Sequence, residues 1–166
     1  MALTLILTRH AKSDWDDPEL RDHDRPLNPR GQGDAPKVGA WLRDKGHVPG
    51  QAMVSSALRA QETWDGIAPE LGQAVAMSTE PKLYHAEAET ILSHLRRAEA
   101  PVVMIIGHNP GIGEFAHRIV DEPAAHPRFI DYPTCATLVA EFPGEDWSEV
   151  DWWAGRVVDF IVPRDL

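Results

Sequence analysis

The stretch LILTRHAKSDW, residues 5–15, runs from unbroken apolar residues straight into a cation and an imidazole, Arg9 and His10. A buried strand usually gives way to Gly, Asn or Asp, which suit turns. A strand that ends on Arg-His instead sets charge and chemistry at the edge of a sheet. Strands and helices then alternate along the chain. LTLILT (3–8) reads as the first strand. NPRGQGDAPKVGAWLRDKG (28–46) reads as a helix, with Asn28 as its cap, Pro29 in the first turn and Gly46 at the far end; its internal glycines and Pro36 weaken the front half.

AMVSS (52–56) is a second strand, and a helix is expected from Ala57 to Leu71. AVAMST (74–79) is a third strand, AETILSHLRRA (88–98) a helix and PVVMIIGH (101–108) a fourth strand, with a helix after Pro110. CATLVAEF (135–142) and RVVDFIV (156–162) close the chain as strands. The alternation predicts an α/β fold with a mostly parallel central sheet and helices on both faces. The segment between the last two strands is short for a parallel crossover, so one antiparallel edge strand is expected.

With 166 residues and no repeat, low-complexity tract or linker, the chain is expected to form one domain over 1–166. The 43% apolar share is ordinary, and no run approaches the length of a membrane span. The opening MALTLILTRH lacks a secretory signal pattern. Cys135 is the single cysteine, which excludes an intrachain disulfide and fits a cytoplasmic location. Twenty-six acidic residues against sixteen basic ones give a net charge of −10, unlike the basic footprint of a nucleic-acid binder. Any anion site must therefore be a local basic pocket in an acidic protein.

Ligands of open parallel sheets bind beyond the carboxyl ends of the strands. Those ends carry Arg9 and His10 after the first strand, SSALRAQET with Arg59 after the second, and GHNPG with His108 after the fourth. Two imidazoles and two guanidiniums are thus expected on one rim. Arginine offers paired donors to phosphate oxygens, and neutral histidine is a competent nucleophile. Singly, each residue has an ordinary reading, a structural strand-end histidine or a surface arginine. Chemically matched groups at three strand ends favour a phosphate pocket.

TRHAKSDW, SSALRAQET and GHNPG, in this order, resemble the histidine phosphatase superfamily, whose signature opens with Arg-His-Gly. RPLNPRG (25–31), LYHA (83–86) and YPTCA (132–136) resemble its short SixA-type phosphohistidine phosphatase branch. Ala11 stands where the signature has Gly, where a methyl could narrow the pocket or alter the backbone. The resemblance implies that His10 is the nucleophile of a covalent phosphohistidine intermediate. It also implies that Arg9, Arg59 and His108 hold the phosphoryl oxygens, with Arg25 and Ser13 as further phosphate-binding candidates. No cofactor and no metal are implied. Larger relatives that cleave phosphate esters carry a Glu acid at the third strand's exit; here His85 falls there and Glu87 two residues on, as an acid or a pocket wall. Loss of that Glu suits a phosphohistidine substrate, whose leaving imidazole needs little protonation.

Other motifs are set aside. GIGEF (111–115) has Phe in place of a third fingerprint glycine, and no P-loop lysine is present. Glu114 and His117 have metal-helix spacing without a second copy and read as helix surface. Cys135 reads as a small buried residue within a strand. Trp147, Trp152 and Trp153 read as an anchor for the last hairpin, or as an interaction surface. The acidic run 13–24 reads as a loop over the pocket, or as carboxylates that repel wrong ligands or orient Arg25. The expected activity is cofactor-independent phosphohydrolysis, with phosphohistidine on a protein partner as leading substrate and a small phosphorylated metabolite as runner-up. The rival is a non-catalytic phosphate- or phosphoprotein-binding module. Neither nucleic acid nor membrane is expected as a partner.

Overall fold

Alternation within the first strand sets up two layers of core. In β1 (Leu3–Arg9), Leu3, Leu5 and Leu7 face one side of the sheet and Ile6 the other, and all four are buried. The computed structural model describes residues 2–166. Its six-stranded sheet adds β2 (Gln51–Ser55), β3 (Ala76–Glu80), β4 (Val102–Gly107), β5 (Thr137–Phe142) and β6 (Arg156–Ile161), in the order β3-β2-β4-β1-β5-β6. The first four strands run parallel. β5 is antiparallel to both β1 and β6, so the reversed strand lies one place inside the edge.

Helices α1 (Pro29–Asp44) and α2 (Leu58–Ile67) cover the Ile6 face; α3 (Ala88–Arg96) and α4 (Gly111–Ile119) cover the Leu5 face. The helix leaving β1 and the helix leaving β4 therefore lie on opposite faces while their strands are neighbours. A crevice opens at such a switch point, beyond the carboxyl ends of the strands. Among the described residues no helix is long and apolar enough to cross a membrane.

Several local expectations change. The front of α1 is regular despite Gly31 and Pro36: Asn28 Oδ1 accepts the Gly31 N–H at 2.9 Å, and the Asn28 N–H donates to Lys12 O at 3.0 Å. Gly31 is there because the helix end packs on the chain following His10, where a Cβ would lie 2.1 Å from Lys12 O. The second helix ends at Ile67, and Pro69 falls in a 3-10 turn, Ala68–Leu71, closed by left-handed Gly72. Cys135 is not in a strand: it is fully buried in a left-handed turn (φ 61°) just before β5. The tryptophans have separate roles. Trp147 is buried and donates to Ala100 O, Trp152 lies against Phe115 and Arg118, and Trp153 is exposed.

Candidate active site

The main chain at Arg9 and His10 is clamped from β4 on one side and from the turn before β5 on the other. The His10 N–H donates to Gly107 O at 3.0 Å, and the Cys135 N–H reaches the carbonyls of Arg9 and His10, each at 3.0 Å. From α2, Thr63 Oγ1 accepts the Ala11 N–H at 2.9 Å and donates to Arg59 O at 2.7 Å. Ala11 is buried and is not among the non-glycine residues of positive φ, so its methyl costs no strain.

His10 is 6% exposed, and its Nδ1–H donates to the Ala11 carbonyl at 2.7 Å. A carbonyl only accepts, so this bond puts the proton of the neutral ring on Nδ1 and leaves Nε2 with a lone pair. Burial pushes the imidazole down to about 3; the Ala11 bond opposes this, while the charges of Arg9, Arg59 and Arg25 add to it. The His108 ring lies 5.1 Å from that of His10. Burial, followed by His10 and Arg59, also depresses its pKa. His108 Nε2 meets Ser55 Oγ at 2.7 Å, while Nδ1 is buried without a partner. A hydroxyl proton donated by Ser55 to Nε2 leaves Nδ1–H as a donor.

Arg59 is 4% exposed and donates to Asp22 twice, to the carbonyl at 2.7 Å and to Oδ2 at 3.1 Å. Its Nε and that of Arg9 are buried with no protein partner. Arg9 Nη1 donates to Tyr132 O at 3.2 Å. Arg25 is also buried, but its donors go to Ser13 Oγ (2.7 Å), Asp14 O (3.1 Å) and Asp22 Oδ1 (3.1 Å), with its plane under Trp15. In this arrangement Arg25 braces Ser13 and Asp22.

Asp22 is the junction that sequence reading did not single out. Besides the two arginines, its Oδ2 accepts from Tyr84 OH and lies 3.6 Å from His85 Nε2. Burial raises the Asp22 carboxyl, but hydrogen bonds from Tyr84 and Arg59, the charge of Arg59 and the bond from Arg25 outweigh it. The group ends well below the usual carboxylate range. Of the readings of the acidic run, this one carboxylate orients Arg25, as it does Arg59.

A pocket of about 240 Å³ brings together Arg9, His10, Ser13, Arg25, Arg59 and His108, with Asp22 and His85 on its wall. Glu87 is absent from that wall; it is exposed at the start of α3 and lines a neighbouring hollow with His85 and Glu114. Among the described residues no group of three or more His, Cys, Asp or Glu side chains is placed to hold a metal ion. A neutral imidazole with a free lone pair, facing unpartnered guanidinium and imidazole donors, is equipped to attack an anionic electrophile.

Residues 5–87 match the model of the histidine phosphatase superfamily (branch 1), and the chain belongs to this family. A Mycobacterium tuberculosis protein is 31% identical over 163 residues, 94% of this chain and 99% of its own length. A SixA protein from Agrobacterium tumefaciens has the same fold, with a TM-score of 0.81 and 24% identity over 98% of this chain and 99% of that one. The protein histidine phosphatase SixA complexed with tungstate also has it, with a TM-score of 0.77 and 20% identity over 98% and 99%. The chain is a phosphatase of this superfamily, with a SixA-type fold.

Proposed function

We propose that the protein removes phosphate from phosphohistidine on a protein partner, through a covalent intermediate on His10. The observation that carries the mechanism is the 2.7 Å bond from His10 Nδ1 to Ala11 O, which leaves Nε2 as the nucleophile. Nε2 attacks phosphorus as the bond to the substrate's imidazole nitrogen breaks. That imidazole keeps the proton it carried and departs neutral. Water then attacks the phosphorus on His10, the new P–N bond breaks, and Nε2 regains its lone pair as inorganic phosphate leaves.

The guanidiniums of Arg9 and Arg59 and Nδ1–H of His108 stabilise the equatorial oxygens through both steps, in a reaction where positioning and charge supply most of the catalysis. Arg25 and Asp22 hold Arg59 and Ser13 in place, and Ser13 keeps a hydroxyl proton to donate. His85 stands at the rim with its side chain 63% exposed, which suits a weak acid or wall and not a buried essential acid. The small, open pocket suits a phosphorylated side chain presented by another protein, and the protein histidine phosphatase SixA shares this fold.

Brief mixing with labelled phosphohistidine protein, quenched in base and separated by size from that substrate, should leave on this chain an acid-labile label that His10→Ala abolishes. Normal turnover by His10→Ala would refute the covalent step. A phosphorylated metabolite preferred by orders of magnitude in kcat/KM would replace the phosphohistidine substrate.

A further inference from the structure

Beside the His10 pocket lies a second hollow of about 300 Å³, and the two share Arg9, Lys12 and Thr134 as a common wall. Arg30, Arg128 and Arg164 complete its basic lining, and no acidic residue lines it. This concentration of cations stands out in a chain of net charge −10. Arg128 is paired with Asp131 at 2.9 Å and Arg30 with Asp34 at 3.6 Å. Lys12 and Arg164 have no ion pair among the described residues. Close cations repel one another, and an oxyanion placed among them relieves that repulsion while accepting forked arginine donors. Pro133, Val162 and Pro163 supply the apolar part, and no aromatic ring is present to stack a base.

We propose that this hollow is a second oxyanion subsite, which takes another phosphate or carboxylate of the same substrate molecule while the scissile phosphoryl group lies against His10. The proposal rests on the reading of the His10 pocket as the phosphoryl site. Arg9 joins the two because it lines both, with its Nη1 tied to Tyr132 O and its Nε buried without a protein partner. Neither His10 nor His108 lines the hollow, so a group held there is remote from the reacting atoms and is bound alike in ground state and transition state. Its contribution falls on KM and not on kcat.

The second oxyanion has two sources, an acidic side chain flanking the phosphohistidine or a second phosphate on a small molecule. Arg128→Gln and Arg164→Gln, alone and together, remove charge from the hollow without touching the catalytic groups or uncovering buried Asp34. Calorimetry with propane-1,3-bisphosphonate and methylphosphonate needs no turnover. The bisphosphonate should bind about tenfold tighter, and the double variant should lose that advantage, as expected for charge-complementary contacts. Methylphosphonate should bind the double variant within about twofold of the parent, showing an intact pocket.

Kinetics on phosphohistidine peptides with flanking Glu or Gln identify the source. A lower KM for the Glu peptide, lost in the double variant, assigns the hollow to a protein's acidic side chain. Equal KM values alongside a bisphosphonate advantage that the double variant loses assign it to a small bis-anionic substrate. Failure to turn over either peptide overturns the phosphohistidine reading, and the phosphonate comparison still decides the subsite. Equal binding of the two phosphonates to the parent, or an undiminished bisphosphonate advantage in the double variant, overturns the proposal.

Discussion

Lowering the pH from 7 to 5 should destabilise this protein through its two desolvated imidazoles, His108 and His10, and the share of His10 can be isolated. The folded His10 imidazole is pushed down to about 3, whereas an unfolded histidine titrates near its ordinary 6.5. Between those values the unfolded chain binds a proton that the folded chain does not, so stability falls as pH drops through 6.5 and goes on falling to about 3. At pH 5 the unfolded state gains about 1.5 pH units of protonation, about 2 kcal/mol at ~1.4 kcal/mol per unit. Carboxylates such as Asp22 lose their native partners over a lower range, and they do so in any variant. Urea unfolding at pH 7 and pH 5, compared between the parent and His10→Gln, isolates the histidine. The parent should lose about 2 kcal/mol more than the variant over this interval. Parallel losses in the two chains, or an NMR titration midpoint for His10 near 6.5, would refute the account of a neutral, desolvated nucleophile.

Arg59→Gln should lower kcat by about 10²–10³-fold, the usual cost of one oriented charge donor, in steady-state kinetics on phosphohistidine. Asp22→Asn keeps both arginines but loosens their clamp, so a loss near tenfold is expected; a loss as large as that of Arg59→Gln would mean that the carboxylate itself takes part in the reaction. Gly31→Ala places a methyl against Lys12 O and should cost about 1–3 kcal/mol of stability in urea melts, with unchanged stability contradicting the close contact. His85→Ala and Glu87→Gln should each stay within about tenfold of parental phosphohistidine turnover; a thousandfold loss from either would reveal an essential acid.

The strand ends carrying Arg9, His10, Arg59 and His108 were legible because apolar runs mark the sheet and polar residues break them abruptly. The antiparallel pairing at the end of the chain followed from a connection too short for a crossover. Asp22 was not legible: one carboxylate among several in SDWDDPELRDHD looks like its solvated neighbours, and only the fold aims it at Arg59, Arg25 and Tyr84. Ser55 was equally hidden, since a serine at a strand end gives no sign that it meets His108 Nε2. The left-handed turns at His85 and Cys135 carry none of the glycine or asparagine that usually announces positive φ, so local propensity placed Cys135 in the strand. The regular front half of α1 is not legible in its own residues, because the reason for Gly31 lies at Lys12, outside the helix.

The double clamp on Arg9 and His10 ties the end of β1 to stretches remote from it in sequence. His10 follows the first strand of the sheet, yet the groups that hold its main chain are Gly107 and Cys135, far along the chain. β1 is a central strand, and it stays unpaired on both sides until β4 and β5 have been synthesised. A chain that stops short of β5 therefore lacks the Cys135 half of the clamp and leaves one side of β1 without its partner strand. Closing such distant pairings is slow compared with helix formation. The geometry around His10 is thus complete only once β4 and β5 have both joined β1.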